Sequence, residues 1–210
     1  MQLTVIGSGD AFNSLGRGHS CYLLDDAGAA PVMVDFGATA LAGLRRVGRS
    51  PLELGGLLVT HLHGDHVGGL PFLLIDGMYH GVRTAPLELL GPAGSAARVE
   101  LFMRTAYGGL ADERRPYETR VRELAPGERT RWLGLEVEAF AAVHMDAPDV
   151  ALCLRVTTRQ GRRIAFSGDT AMCDGLREAA RGADLLVAEC TCLAPPCGRH
   201  CTWQDWEREL

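Results

Sequence analysis

Three histidines and one aspartate lie within six consecutive residues of the chain: His61, His63, Asp65 and His66. They follow an apolar run at 57–59 that predicts a buried strand. In an extended chain alternate side chains share a face, so His61 and His63 can offer neutral imidazole nitrogens to one metal ion. Gly64 is expected to permit a sharp bend, after which Asp65 and His66 reach toward a second position. The cluster therefore predicts a site for two metal ions, with a histidine-rich surface loop as the weaker alternative.

Two further side chains follow predicted strands later in the chain. His144 follows the apolar run 140–143, and by its position it should complete the first metal site with the first pair of histidines. Asp169 follows the apolar run 164–166, with a glycine beside it for close approach. As a bridging ligand it would hold two ions roughly 3.5 to 4 Å apart. A structural histidine and a simple Ser-Gly-Asp-Thr turn are the alternatives.

The spacing of the histidine cluster resembles the HxHxDH signature of the metallo-β-lactamase superfamily. Residues 6–12 and 17–24 are similar to the opening hairpin of its ribonuclease Z and phosphodiesterase branch, and residues 143–144 and 166–170 resemble the third and fourth motifs. The resemblance covers nearly the whole chain. It implies an α/β fold, the αββα four-layer sandwich, as a single domain over residues 1–210. Because the resemblance stops short at the C-terminus, the family's usual C-terminal strand is expected to be missing.

The resemblance also implies a role for each residue. The six expected metal ligands are His61, His63, Asp65, His66, His144 and Asp169. Asp65 would also orient the attacking hydroxide, and His200, in a loop similar to one of the family, would act as general acid or stabilise the oxyanion. The family's last ligand is missing, so the second ion would be completed by water, by His200 or by a partner chain. Asp35 and Glu189 are candidates to fix the imidazole tautomers.

Metal-assisted hydrolysis is the chemistry that such a site predicts. Two divalent cations would lower the pKa of a bridging water toward roughly 7 and so make a metal-bridging hydroxide available at neutral pH. Zinc suits the histidine and aspartate set best, with manganese or iron as alternatives. The branch that the chain resembles favours a phosphodiesterase acting on a small-molecule or nucleotide phosphodiester.

Three other functions stay open. One is a tRNA 3′-processing endonuclease, although only 24 residues separate His144 from Asp169, which leaves no room for the long tRNA-gripping arm often inserted in that interval. Another is a lactone or thioester hydrolase. The third is a non-catalytic, metal-binding relic of the fold.

The composition excludes several other classes. The chain has 210 residues, 47% of them hydrophobic, and it shows neither an apolar run of about 18 residues nor a basic leader, so we expect a cytoplasmic protein without a membrane partner. A net charge of −5 argues against nucleic acid as the favoured partner. All 21 basic residues are arginine, which excludes a lysine Schiff base. We also expect a homo-oligomer, specifically a dimer.

Seven cysteines are an odd number in a chain without an export signal, so reduced thiols are expected rather than disulfides. Four of them crowd the C-terminal end: Cys190, Cys192, Cys197 and Cys201. A structural zinc site is the alternative there, but the spacings lack the paired CxxC knuckles typical of such sites.

The apolar pattern predicts the elements that position these side chains. Three strands are expected to form an antiparallel meander, at 3–6, 21–24 and 31–35. Further strands are expected at 57–59, 86–90, 135–142, 151–157, 163–166 and 184–188. Helices are expected at 39–47, 67–79, 96–107, 173–181 and 203–210. The charged segment 112–122 is expected to be exposed.

Overall fold

The computed structural model describes residues 1–26 and 28–209. They divide into two compact units, Met1–Glu123 and Leu124–Leu210, called here the N-terminal and C-terminal units. Leu210, the last residue of the expected terminal helix, lies outside the described residues. Each unit contains one β-sheet. The single domain over residues 1–210 stays a prediction.

The sheet of the N-terminal unit has six strands in the order in which they occur along the chain. They are β1 (Gln2–Gly7), β2 (Cys21–Asp25), β3 (Val32–Val34), β4 (Gly56–Leu58), β5 (Leu87–Gly91) and β6 (Thr119–Glu123). The first three pair antiparallel, which confirms the predicted meander. β3 to β6 pair parallel. Strands β3 and β4 are buried at every residue, which explains their unbroken apolar sequence.

Four helices of this unit pack around that sheet within the described residues: α1 (Ala40–Arg46), α2 (Gly64–Val67), α3 (Leu70–Ile75) and α4 (Ser95–Tyr107). The single helix expected at 67–79 is wrong, because it is split after Val67 and ends in a π-turn at Asp76–His80. Pro71 in the first turn of α3 has no N–H to continue a preceding helix, so a new helix starts there. The apolar faces of strands and helices form one continuous core.

The charged segment at 112–122 contains a strand that its composition concealed. β6 pairs parallel with β5 over five residue pairs. It is the last strand of its sheet, and most of its residues remain intermediate or exposed, with Arg120 ion-paired to Glu88 on β5. An edge strand pairs on one side only, so charged side chains can stay in water. The segment is mostly exposed, as predicted.

The sheet of the C-terminal unit has five strands in the order β11-β10-β9-β8-β7. They are β7 (Arg129–Trp132), β8 (Leu135–Ala141), β9 (Leu152–Thr157), β10 (Arg163–Phe166) and β11 (Leu185–Val187), with helices α5 (Asp174–Ala180) and α6 (Trp203–Glu209). β10 and β11 pair parallel, and the other neighbouring strands named here pair antiparallel. The prediction missed β7, whose four residues alternate exposed and buried side chains. None of the described helices is long and apolar enough to cross a membrane.

Cys192 and Cys197 form a disulfide, with their Cα atoms 6.0 Å apart. The expectation of reduced thiols is therefore wrong for these two residues, and it holds for the other five cysteines. The number of cysteines and the expected compartment do not reveal that a short loop folds back on itself and brings these two cysteines together. Within the part of the chain that the structure describes, no cysteine belongs to a cluster that could hold a metal ion.

Candidate metal centre

The first two histidines of the N-terminal unit follow directly from β4. The chain stays extended beyond the strand, because Val59 N donates to Leu90 O at 2.8 Å, and this brings the fully buried His61 to the end of the sheet. The Nε2 atom of His61 and the Nδ1 atom of His63 lie 3.2 Å apart. Two nitrogens bound at about 2.0–2.1 Å to one tetrahedral zinc ion would be about 3.3 Å apart. The pair therefore has the spacing of two ligands of one ion.

The buried Asp35 sets the tautomer of His61 through Thr60. The Thr60 hydroxyl donates to Asp35 Oδ2 at 2.8 Å, so its oxygen can only accept from His61 Nδ1, which lies 3.2 Å away. Nδ1 of His61 then carries the proton and the lone pair lies on Nε2, the atom that faces His63. The role expected of Asp35 thus operates through an intermediate residue that sequence reasoning did not single out.

Asp35 also orients His66. The Nδ1 atom of His66 donates to Asp35 Oδ2 at 2.8 Å, and its Nε2 lies 3.5 Å from Asp65 Oδ2. Helix α2 places these two neighbouring side chains at the start of its first turn. Four potential ligands of the N-terminal unit therefore present imidazole nitrogens and a carboxylate in a prearranged set, called here the N-terminal cluster: His61, His63, Asp65 and His66.

The glycine that this cluster needs is Gly37, not Gly64. At Gly64 the φ angle lies outside the left-handed region and an added Cβ would meet nothing within 4 Å, so the expected special bend there is wrong. A Cβ at position 37 would lie 1.9 Å from the Asp65 carbonyl oxygen and 2.7 Å from the Cβ of His19. His19 is buried, and its Nδ1 has no hydrogen-bond partner among the described residues.

Three predicted site residues come together in the C-terminal unit, each on a loop after a strand: His144 after β8, Asp169 after β10 and His200 after β11. Their potential ligand atoms all lie within 4.8 Å of one another. The Nε2 atom of His144 is 3.8 Å from Asp169 Oδ2, and the Nδ1 atom of His200 is 4.0 Å from the same oxygen. This group is called here the C-terminal cluster, and its imidazole and carboxylate donors are those that zinc prefers.

Glu189 fixes the loops of the C-terminal cluster. Its carboxylate accepts from the Thr170 backbone N–H at 2.6 Å and from His200 Nδ1 at 3.0 Å. The hydroxyl of Thr170 accepts from the Val143 N–H at 2.9 Å, which ties the loop of His144 to that of Asp169. Burial raises the pKa of the Glu189 carboxyl, and the nearby Asp169 charge acts in the same direction, whereas hydrogen bonds and His200 oppose the rise.

Comparison with known proteins agrees with this arrangement of elements. The family model for Anti-Pycsar protein Apyc1 matches residues 1–208. The uncharacterized protein Rv1339 of Mycobacterium tuberculosis is 31% identical over 197 residues, which cover 93% of this chain and 70% of that protein. The short form of human tRNase Z superposes with a TM-score of 0.79 at 25% identity, covering 97% of this chain and 85% of that one. The metallo-β-lactamase fold protein YhfI from Bacillus subtilis superposes with a TM-score of 0.74 at 22% identity, covering 95% and 77%.

These matches define first the structural class of the protein and then its family. The chain has the metallo-β-lactamase fold, and its similarity to tRNase Z confirms the resemblance to the ribonuclease Z branch. Within that class, it belongs to the family of Anti-Pycsar protein Apyc1.

Proposed function

We propose that this protein is a metal-dependent hydrolase, a phosphodiesterase, and that it binds two divalent ions. The proposed ligands are His61, His63, Asp65, His66, His144 and Asp169. The observation that carries the proposal is that hydrogen bonds already turn two imidazoles of the N-terminal cluster, so that each directs Nε2 toward another ligand. Imidazole with carboxylate is a zinc set, and manganese or iron remain alternatives.

The two ions, when bound, supply Lewis acidity and lower the pKa of a water molecule toward roughly 7. The chain's own residues would do the remaining work. The side chain of Asp65 is 18% exposed, so it can orient the attacking water and accept its proton. Asp65 is therefore proposed both as a metal ligand and as a catalytic residue.

His200 is the proposed general acid. Its Nδ1 lies 3.0 Å from the Glu189 carboxylate, which fixes the orientation of the ring. Its side chain is 28% exposed, so a substrate oxygen can reach the ring. Transfer of a proton from this ring to the leaving alkoxide would complete cleavage of the ester bond.

A small phosphodiester is the substrate that we favour over tRNA. The net charge is −5, and two arginines in or near the charged segment are paired with carboxylates: Arg120 with Glu88 and Glu118, and Arg104 with Asp112. Nucleic-acid affinity depends on unpaired basic side chains that can neutralise phosphates. The likeness to human tRNase Z keeps tRNA 3′ processing as the second candidate. Homodimer formation and a cytoplasmic location stay predictions.

The experiment that tests the proposal combines turnover with metal counting. The zinc-loaded full chain is assayed on a bis-aryl phosphodiester, on a lactone, on a thioester and on a precursor tRNA. We expect turnover of the phosphodiester and two zinc ions per chain. His63→Ala should lose one ion and most of the activity. His80→Ala is the matched control, because its side chain is 75% exposed and contacts Asp76, outside both clusters.

Turnover of the lactone or thioester alone would contradict the phosphodiesterase proposal. One ion per wild-type chain without any turnover would instead support the metal-binding relic. Cleavage of precursor tRNA with steep salt dependence would favour the second candidate.

A further inference from the structure

His144 and Arg199 exchange two hydrogen bonds, although 55 residues separate them in the sequence. The ring Nδ1 of His144 lies 3.2 Å from the carbonyl oxygen of Arg199. In return, the Nη1 atom of Arg199 donates to the carbonyl oxygen of His144 at 3.2 Å. The second guanidinium nitrogen, Nη2, binds the carboxylate of Asp146. The segment 144–146 is therefore joined to residue 199 at three points.

The first of these bonds sets the tautomer of the ring. A carbonyl oxygen can only accept, so Nδ1 of His144 must carry the proton. The lone pair of a neutral ring then lies on Nε2, which is the atom 3.8 Å from Asp169 Oδ2. This is the nitrogen that His144 would offer to a metal ion in the C-terminal cluster.

The loop that supplies the carbonyl oxygen is itself closed. At its base Thr191 N donates to Cys201 O at 3.1 Å and Trp203 N donates to Cys192 O at 2.8 Å. The disulfide between Cys192 and Cys197 closes it further. The guanidinium of Arg199 fixes the position of this closed loop against residues 144–146, because both of its terminal nitrogens donate to that segment.

We propose that Arg199 is a positioning residue, which presses its own loop against residues 144–146 so that its carbonyl oxygen holds His144 as the Nδ1–H tautomer with Nε2 directed at the metal. This inference rests on the proposed function, in which His144 is a ligand. Groups that orient a ligating imidazole typically change metal affinity 10–100-fold when they are removed. Nothing in the sequence marks Arg199 for this role, because the contact depends on a loop closure.

The test uses the full chain with three substitutions. Arg199→Ala removes both side-chain bonds, and Arg199→Lys keeps the charge but loses the planar fork that reaches two acceptors at once. Arg208→Ala is the matched control, since Arg208 is 68% exposed and its ion pair among the described residues is with Asp205, at 3.4 Å. Two readouts are taken: the tautomer of His144 in the metal-free protein, from long-range proton–nitrogen NMR correlations, and the zinc affinity, from competition with a chelator.

We expect a single Nδ1–H tautomer for His144 in the wild type and in Arg208→Ala. In Arg199→Ala we expect a mixture of tautomers and a zinc affinity lowered about 10–100-fold, with Arg199→Lys in between. An amide spectrum of the wild-type pattern away from residues 144 and 199 shows that the variant is folded. If Arg199→Ala unfolds, the same two readouts on Arg199→Lys decide the question.

One result would overturn the inference: an unchanged tautomer and zinc affinity in a folded Arg199 variant. If the KM of that variant is also raised, Arg199 is a substrate contact instead. Failure of the proposed function is distinguishable, because His144→Ala would then keep both zinc ions while the tautomer of His144 in Arg199→Ala could still change.

Discussion

His66 Nδ1 donates to Asp35 Oδ2 across 2.8 Å, and the two side chains are each 3% exposed. The same carboxylate also accepts from the N–H and the hydroxyl of Thr60, both at 2.8 Å. Because the Thr60 hydroxyl in turn receives the Nδ1 proton of His61, one buried carboxylate sets two imidazole tautomers. The orientation of two imidazoles in the N-terminal cluster therefore depends on Asp35, a buried residue that is not proposed to contact the substrate.

Asp35→Asn should weaken both metal binding and the stability of the folded protein. An amide can turn only one acceptor toward three donors, so one of them is left opposed by an N–H. We expect zinc affinity to fall about 10–100-fold and the free energy of unfolding of the metal-free protein to fall by about 1–3 kcal/mol. Chelator competition and urea denaturation measure the two effects. Asp25→Asn is the control, because the Asp25 carboxylate pairs with Arg49, whose side chain is 29% exposed. Unchanged zinc affinity in Asp35→Asn would contradict the assigned role.

Gly37→Ala and Gly64→Ala should differ although the substitution is the same. The Cβ at position 37 would lie 1.9 Å from the Asp65 carbonyl oxygen, so the backbone of the cluster must shift, whereas the Cβ at position 64 meets nothing within 4 Å. We expect Gly37→Ala to lose about 1–3 kcal/mol of stability together with zinc affinity, and Gly64→Ala to match the wild type in both. Thermal unfolding with metal titration makes the comparison, and a Gly64→Ala protein that binds zinc poorly would show that the bend needs glycine after all.

Most of the strands and helices could be predicted in order from the sequence, because the regular spacing of their apolar residues marks them. Strands such as β8 alternate buried and half-buried side chains, and β3 and β4 are apolar throughout. The sequence pattern did not predict β6 and β7, because both are short edge strands whose charged side chains face water. Their pairing depends on a neighbouring strand rather than on their own composition. The break in the helix expected at 67–79 came from Pro71, which the periodicity did not weigh.

The candidate site was predictable where ligands cluster in sequence and less so where contacts depend on loop closure. His61, His63 and His66 share a motif, and the structure also brings His144, Asp169 and His200 together. Of these three, His200 was singled out only by the resemblance of its loop to one of the family. The backbone contact of Gly37 with Asp65, by contrast, joins segments with no common pattern. The same holds for the pairing of Cys192 with Cys197, since a spacing of five residues does not reveal how the loop turns.

Three thiols of the protein should differ in their reactivity toward an alkylating reagent. Hydrogen bonding from the Cys153 thiol, together with Thr170 and backbone N–H groups, lowers the pKa of Cys173 to about 5, so its thiolate is present above that pH. Burial with an aspartate nearby raises the pKa of Cys21 to about 12, and burial raises that of Cys201 to about 12. We expect iodoacetamide at pH 6 to label Cys173 and to spare Cys21 and Cys201, as read by peptide mass spectrometry.

The same reagents test the disulfide. Thiol titration of the denatured protein should give five thiols before reduction and seven after it. The two new thiols should map to Cys192 and Cys197. Seven thiols without reduction would contradict the pairing, and Cys190→Ser, which changes an exposed free cysteine, should lower both counts by one.

Glu138→Gln should change how the stability of the C-terminal unit depends on pH. The Arg155 guanidinium donates two hydrogen bonds to Glu138, at 2.8 and 2.9 Å, and these bonds lower the pKa of that carboxyl. A carboxyl whose pKa is lower in the folded state contributes stability above its unfolded pKa of about 4.3, and the contribution is lost as the pH falls through its folded value. We expect Glu138→Gln to cost about 1 kcal/mol at pH 7 and progressively less below pH about 4. Urea denaturation from pH 3 to pH 7 measures the difference, with Glu207→Gln, whose carboxylate accepts from the exposed Trp203 indole, as the control. A difference that stays constant or grows toward pH 3 would contradict the role of the charge, because the pair with Arg155 exists only while Glu138 is ionised.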